Sequence, residues 1–417
     1  LFTMHVQIPF GKSALELDIP DRNYLQTLLP NPVSEQPGGD AEVLRALENP
    51  IGSKRLRELV KPGQKVVIVT SDITRPMPSY RVLPHVLKEL NDAGVPDCDI
   101  TVVFALGSHR AHTEEEKIKL AGEAVYHRVT CLDSQGAFVH MGTTSRGTPV
   151  DIFKPVAEAD VRICLGNIEF HYFAGYSGGS KAIMPGVSTR NAIQCNHSRM
   201  VQEAAHAGAI TGNPIREDID EVCERFVPIT FLVNVVLDEK KQICRCFAGH
   251  FIEAHRAGCR FLDQLYKIRI PRLADIVVVS AGGYPKDLNL YQAQKALDNA
   301  KHAVRDGGCI LWAASAYEGL GEKVFEKWMT GHSSSHEMIE HISQDFQLGG
   351  HKAAAIAMVL ERADILLYSD LAPEFVRSMH LTPCPDLQAG LNEALAKYGS
   401  QASVLVMPYG GSTLPCL

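Results

Sequence analysis

Several short stretches of this chain are apolar from end to end, and each runs straight into small, charged or imidazole-bearing residues. No other feature constrains the fold as strongly. Residues 66–70, 101–106 and 161–165 lack the alternation of a half-exposed strand, so both of their faces have to be covered. Between the first two, residues 79–93 carry a helical pattern closed by Gly94. After the second, Thr113-Glu-Glu-Glu116 spells a capping box for a helix that reaches Ala121 and stops at Gly122. Strand–helix–strand traffic of this kind builds a mostly parallel sheet, so the predicted class is α/β.

Residues 129–153 break that rhythm with two β-runs around Gly142-Thr-Thr-Ser-Arg-Gly147, which reads as a hairpin. Residues 229–237 and 242–247, split by Asp238-Glu-Lys-Lys241, read as a second. A helical stretch over 250–268 ends at Ile270-Pro271. The α/β rhythm then restarts with strands over 276–280, 309–313, 365–369 and 404–407, the last assignable to either half. At roughly 150 residues per domain, 417 residues suit two or three domains, and the two rhythms mark out two, with a cleft between them as the expected ligand site.

Composition narrows the function. The 41 Lys+Arg are outnumbered by 48 Asp+Glu, against the basic surplus of a nucleic-acid binder. No apolar run approaches the roughly 18–20 residues of a membrane span, and no basic-then-apolar leader opens the chain. The 11 cysteines are scattered without a CxxC, which points to a reducing cytoplasm. The 17 histidines are the informative residues.

Ligands of open α/β sheets bind beyond the carboxyl ends of the strands. There the first strand delivers Ser71-Asp72-Ile73-Thr74-Arg75-Pro76, the second Gly107-Ser108-His109-Arg110-Ala111-His112, and the third Gly166-Asn167-Ile168-Glu169-Phe170-His171. The segment Gly175-Tyr-Ser-Gly-Gly-Ser-Lys181 follows. Its small residues Ser177 to Ser180 can expose successive N–H groups to an anion, with Lys181 as cation or nucleophile. A P-loop transferase is a rival reading, but Ser180 replaces its second glycine and Ala182 its magnesium-binding hydroxyl. A zinc hydrolase built on His109 and His112 is another. Further on, Ser188 opens an N-capped helix ending near His197. Tyr291, Gln292 and Lys295 share a helix face suited to a small carboxylate, and the segment Asp345 to Lys352 is a candidate for a pocket wall.

Taken in order, Ser71-Asp-Ile-Thr-Arg-Pro76, Gly107-Ser-His-Arg110, Ile168-Glu-Phe-His171-Tyr-Phe-Ala-Gly-Tyr-Ser-Gly-Gly-Ser-Lys181, Asn196-His197 and Tyr291-Gln-Ala-Gln-Lys295 resemble the nickel-dependent lactate racemases over roughly residues 5–410. The resemblance implies two α/β domains with an interdomain active site: a cofactor-binding domain over 4–270, rejoined by 388–417, and a smaller one over 271–387. It implies a nickel-pincer nucleotide, in which a pyridinium mononucleotide holds Ni through two sulfurs and a ring carbon. Lys181 would carry it covalently as a thioamide and His197 would be the protein's nickel ligand. Asp72, Thr74, Arg75, Ser177 and Gly178 would surround it.

His109 and His171 would be the acid/base pair, and Arg75, Tyr291, Gln292 and Lys295 would hold the substrate. The implied reaction racemises or epimerises a 2-hydroxy acid through a 2-keto acid, with reversible hydride transfer to the cofactor. Racemisation needs a base for each enantiomer, which suits two imidazoles with pKa near ~6.5. Cofactor-biosynthesis proteins are implied as partners. A non-enzymatic carrier of the same cofactor is the alternative, since it would need Lys181 and His197 but neither His109 nor His171. Phe170 stands where lactate-specific members carry proline, so the substrate expected is the 2-hydroxy acid class rather than lactate itself.

Overall fold

The structure, a computed structural model, describes residues 2–32 and 38–417. By its internal contacts the chain forms two compact units, Ser34–Asp263 and the combination of Leu1–Val33 with Gln264–Leu417.

The Ser34–Asp263 unit is organised by a six-stranded sheet. Its spatial order is Ile243–Gly249, Phe231–Leu237, Val161–Asn167, Val66–Ser71, Ile100–Ala105 and Thr130–Asp133. All neighbours run parallel except the first pair, the antiparallel hairpin expected from residues 229–247. The apolar runs are strands because their side chains fill both faces: Ile68, Val102 and Ile163 on one face and Val69, Val103 and Cys164 on the other are fully buried. The helix Ser79–Asp92 covers one face with Val82, Leu83, Val86, Leu87 and Leu90, the i, i+1, i+4, i+5, i+8 pattern of an apolar helical stripe. Each such side chain contributes about 1.5–3 kcal/mol when removed from water. The capping box is present, with Thr113 Oγ1 accepting from the Glu116 N–H at 3.2 Å, and Gly122 ends that helix at φ +82°.

The sequence leads outward from Val66–Ser71 through Ile100–Ala105 to Thr130–Asp133, then returns on the other side with Val161–Asn167. The carboxyl ends of Val66–Ser71 and Val161–Asn167 therefore flank a topological switch point, the general ligand locus of such sheets. Residues 129–153 do contain a hairpin, Phe138–Thr143 with Pro149–Phe153, but Thr130–Asp133 stands apart as a parallel edge strand.

The other unit has its own six-stranded parallel sheet. Its order is Thr382–Pro383, Asp364–Tyr368, Val304–Ala313, Ala274–Ser280, Val404–Met407 and Tyr24–Thr27. An antiparallel N-terminal hairpin, Thr3–Phe10 with Ser13–Pro20, buries Ile8, Leu17 and Ile19 in the core of this sheet. This corrects the expected domain division. Residues 388–417 do not rejoin the first domain, because Val404–Met407 pairs with Ala274–Ser280. The opening residues also belong here, because Tyr24–Thr27 pairs with the other edge of Val404–Met407.

Candidate functional site

The expected residues divide between the units. Asp72, Thr74, Arg75, His109, His171, Ser177, Gly178, Lys181 and His197 belong to the Ser34–Asp263 unit, whereas Tyr291, Gln292 and Lys295 belong to the other.

At the tip of Val66–Ser71, Asp72 is buried and its Oδ2 lies 2.6 Å from His109 Nδ1. Burial works to raise the pKa of this carboxyl, but the His109 contact, the Thr74 hydroxyl and the Arg75 charge outweigh it and hold the group below its usual value. Asp72 is thus an acceptor. His109 donates Nδ1–H to it, and the His109 lone pair is on Nε2. Thr74 Oγ1 donates to Asp72 Oδ1 at 2.8 Å, so its proton braces the carboxylate. The exposed guanidinium of Arg75 makes no hydrogen bond or salt bridge with a described residue, a cation fit for a carboxylate or phosphate.

His112 plays a different part from His109. Its Nδ1 is 2.6 Å from Asp133 Oδ1, and its Nε2 accepts the Ile73 N–H at 3.0 Å. With both ring nitrogens engaged, His112 is a strut between two strand tips. Among the described residues no group of three His, Cys, Asp or Glu side chains is placed to hold a metal ion. The zinc reading therefore lacks its ligand set.

His171 follows the third strand, and its Nδ1 accepts the N–H groups of Ala174 at 3.2 Å and, more loosely, Phe173 at 3.5 Å. Its neutral ring thus carries hydrogen on Nε2, the opposite tautomer to His109. Burial first, then the charges of Lys181 and Arg75, push its pKa well below the usual 6.5. The Phe173 ring touches both His171 and His197, edge to face, with centroids 4.4 and 4.9 Å away.

The glycine-rich segment differs from the anion cradle expected of it. The Ser177 N–H bonds to Glu169 O at 2.8 Å, the Gly179 N–H to Asn234 Oδ1 at 2.9 Å, and the Lys181 N–H to Gly178 O at 3.3 Å. The Ser177 hydroxyl donates to Asn167 O and accepts from the Glu169 N–H. Two of the four donors from Ser177 to Ser180 are thus taken up inside the protein, which breaks the run of successive N–H groups that a phosphate nest needs. What the loop does instead is present Lys181. Gly178, at φ +77°, packs so closely that a Cβ would sit 2.6 Å from Asn234 Oδ1, and one on Gly179 would sit 2.8 Å from the ring of His255. Lys181 is buried, and its ammonium has no salt bridge with a described residue. Burial first, then Arg216 and Arg75, hold its pKa well below 10.5. A desolvated amine beside other cations is the setting that makes lysine nucleophilic.

His197 ends the helix Arg190–His197, N-capped by Thr189. Its Nδ1 lies 2.7 Å from Asn196 Oδ1. Asn234 and His255 went unnoticed in the sequence. Asn234 had a signal, being the one polar residue in Phe231–Leu237, whereas His255 looks like any residue of an amphipathic helix.

In the second unit, Tyr291 and Gln292 open the helix Leu290–Ala300, and Lys295 follows one turn on. Lys352 bonds through Nζ to Tyr291 O at 2.7 Å and lies 4.0 Å from the centre of the Tyr291 ring. That places the residue 345–352 segment beside this set. No helix of the described residues is long and apolar enough to cross a membrane.

Comparison with known proteins gives a consistent result. Residues 10–208 match the family model of the lactate racemase N-terminal domain, and residues 271–414 that of the lactate racemase C-terminal domain. The chain is 33% identical to a lactate racemase of Thermoanaerobacterium thermosaccharolyticum over 424 residues, covering 98% of this chain and 99% of that protein. It is also 33% identical to one from Lactiplantibacillus plantarum over 423 residues, covering 97% and 98%. The structure of the T. thermosaccharolyticum lactate racemase apoprotein superposes with a TM-score of 0.89 at 32% identity, covering 99% of this chain and 100% of that one. A Thermotoga maritima protein shares the fold alone, with a TM-score of 0.62 at 19% identity over 91% and 97% of the chains.

Proposed function

We propose that this chain, which belongs to the lactate racemase family and is thereby an isomerase, interconverts the configurations at C2 of a 2-hydroxy acid with a nickel-pincer nucleotide as its cofactor. The observation that carries this reading is the pair of opposite tautomers. His109 holds a lone pair on Nε2 because Asp72 takes its Nδ1–H, and neutral His171 holds a proton on Nε2 because backbone N–H groups occupy its Nδ1. One ring is set to accept a hydroxyl proton and the other to give a hydrogen bond. A reaction that must run from either enantiomer asks for both.

The residues present fit the cofactor. Lys181 offers an amine of depressed pKa, with no ion pair among the described residues, for a covalent tether. His197 offers one imidazole, suited to Ni²⁺. A single protein ligand suffices when the metal arrives already held by an organic ligand, and the described residues assemble no larger metal-binding group. When bound, the cofactor supplies the hydride acceptor; the rest of the chemistry falls to the chain. Asp72 and Thr74 orient His109, and Arg75 offers its charge to substrate or cofactor. Tyr291, Gln292 and Lys295 hold the substrate carboxylate and keep the keto acid from leaving. Cofactor-biosynthesis proteins would deliver the nucleotide. The non-enzymatic carrier reading gives no role to the Asp72–His109 pair.

The test uses protein purified from a host that makes the cofactor, given single enantiomers of a panel of 2-hydroxy acids and followed by chiral chromatography. Interconversion of at least one pair is expected, together with nickel and a covalent adduct on Lys181. A loaded protein that interconverts none of them defeats the proposal.

A further inference from the structure

We infer that Asn213 is a positioning residue for His171: its side-chain amide holds the Phe173–Ala174 peptide so that the Ala174 N–H stays on His171 Nδ1. The inference rests on the reading of His171 as one of the acid/base pair. Its evidence is a set of hydrogen bonds whose directions follow from the groups that make them.

Asn213 is fully buried and caps the helix Pro214–Glu221. Its Oδ1 accepts the N–H groups of Ile215 at 3.0 Å and Arg216 at 3.2 Å. A cap needs only that acceptor, and aspartate, serine or threonine supplies it as well. The NH₂ is what asparagine adds. It donates to Phe173 O at 2.9 Å and to Ala209 O at 3.1 Å. Carbonyl oxygens only accept and backbone N–H groups only donate, so the amide has one orientation. Turned over, it would set oxygen against two oxygens and NH₂ against two N–H groups.

The bond to Phe173 O reaches the imidazole through one rigid unit. The Phe173–Ala174 peptide is trans, so its C=O and N–H point to opposite sides of a plane. Held by Asn213 on the carbonyl side, it delivers its N–H to His171 Nδ1 at 3.2 Å. The Phe173 N–H is the looser second donor there, at 3.5 Å. The residues that follow are pinned largely from the same helix. Arg216, also fully buried, donates from Nε to Ala174 O at 3.1 Å and from Nη2 to Tyr176 O. Gly175 O, between them, accepts the Gly208 N–H at 2.9 Å. Gly175 itself packs so closely that a Cβ would sit 2.0 Å from Ala209 O, the second carbonyl that Asn213 holds. Asn213 thus acts on the ring through one peptide in a loop otherwise fixed on both sides.

The test compares wild type with Asn213→Asp, Asn213→Thr and His171→Ala. Both changes at 213 keep an acceptor for the helix cap and remove the NH₂. In Asn213→Asp, the N–H groups of the helix start and the adjoining Arg216 keep the new carboxyl ionised, so an oxygen that cannot donate faces both carbonyls. In Asn213→Thr, a methyl group that cannot donate stands in for the NH₂. Either way the peptide is released to turn its N–H away from His171.

In the apoprotein, the ¹⁵N resonance of His171 Nδ1, identified by its loss in His171→Ala, should be that of an unprotonated nitrogen accepting a hydrogen bond. In both variants at 213 it should move, either to that of an unbonded nitrogen or to that of an N–H. In the loaded protein, with a 2-hydroxy acid that wild type interconverts, kcat should fall about 10- to 100-fold from both enantiomers with KM little changed. Nickel content and the adduct on Lys181 should stay as in wild type. An Nδ1 resonance unmoved in both variants overturns the inference, whatever the kinetics do, and so does a wild-type resonance of an N–H. If one variant does not fold, the other decides. Loss of the Lys181 adduct in step with kcat assigns the effect to the loop as a whole and also overturns it. A moved resonance with wild-type kcat in the variants and in His171→Ala leaves the positioning standing and removes His171 from the mechanism. A moved resonance with wild-type kcat in the variants alone refutes the role of Asn213 in the reaction.

Discussion

At the scale of single residues, His109 and His171 are set apart by what holds their Nδ1 atoms, a carboxylate for one and amide N–H groups for the other. If they serve opposite faces of the substrate, His109→Ala and His171→Ala should each slow racemisation from both enantiomers by about 10²–10⁴-fold. The equilibrium ratio stays unchanged, because a catalyst cannot alter it. Chiral chromatography started from each pure enantiomer measures this, and wild-type rates in both variants would remove the pair from the mechanism. Lys181 permits a separate test of its amine. Lys181→Arg keeps a positive charge but has no amine able to form the thioamide, so intact-protein mass spectrometry should find no covalent adduct. An adduct of unchanged mass there would place the tether on another residue.

At the scale of elements, the strands of the Ser34–Asp263 unit were legible because an apolar run without alternation has few alternatives. The three chemistry-bearing tips followed from them. The glycine-rich loop was legible as special, but not which of its N–H groups are taken up inside the protein. Its Gly179 N–H is taken by Asn234, which lies 55 residues later in the chain, and local sequence does not reveal such a partner. Gly178→Ala tests the tight packing: a Cβ at φ +77°, 2.6 Å from Asn234 Oδ1, should cost about 1–3 kcal/mol in chemical denaturation and lower adduct formation on Lys181. A variant with wild-type stability and wild-type adduct would show the loop to be less constrained. The helix Ser79–Asp92 carries a pH-dependent tie at Glu89, which is buried and bonded to Arg57 at 2.6 Å and to Arg55. Burial works to raise its pKa, yet the two guanidinium groups prevail and hold it below 4.5. A carboxyl depressed on folding contributes stability that is complete above its unfolded pKa and lost as pH falls through the folded one. Glu89→Gln should therefore destabilise by about 1.5–3 kcal/mol at pH 7, with the gap to wild type shrinking below pH 4.5. A gap that stays constant down to pH 3 would assign the effect to packing alone.

At the scale of the whole molecule, the sequence discloses four strands of the second sheet but neither its two edge strands nor the sheet that residues 404–407 join. Membership is decided by pairings between the two ends of the chain. The Val404 N–H bonds to Asn23 O at 2.7 Å, Asn23 Nδ2 to Ala402 O at 2.8 Å, and the Leu28 N–H to Val406 O at 2.8 Å. Asp18 and Gln388 exchange two more bonds, at 2.8 and 3.1 Å. Tyr24–Thr27 is short and only half-buried, so no apolar run announces it. The opening hairpin alternates as an ordinary half-exposed pair does, yet its buried face, Ile8, Leu17 and Ile19, completes a core whose other members begin near residue 276. Removing those three side chains from water contributes about 5–9 kcal/mol, comparable with the roughly 5–15 kcal/mol that separates a whole folded domain from its unfolded state. A fragment of residues 264–417 should accordingly show no cooperative thermal transition by circular dichroism. Addition of a peptide of residues 2–32 should restore one, with a midpoint that rises with peptide concentration, because the ligand here is the missing part of the core. A fragment of residues 38–266 keeps every strand of its own sheet and should melt cooperatively alone. If 264–417 melts as sharply without the peptide as with it, the N-terminal segment decorates that unit and does not complete it.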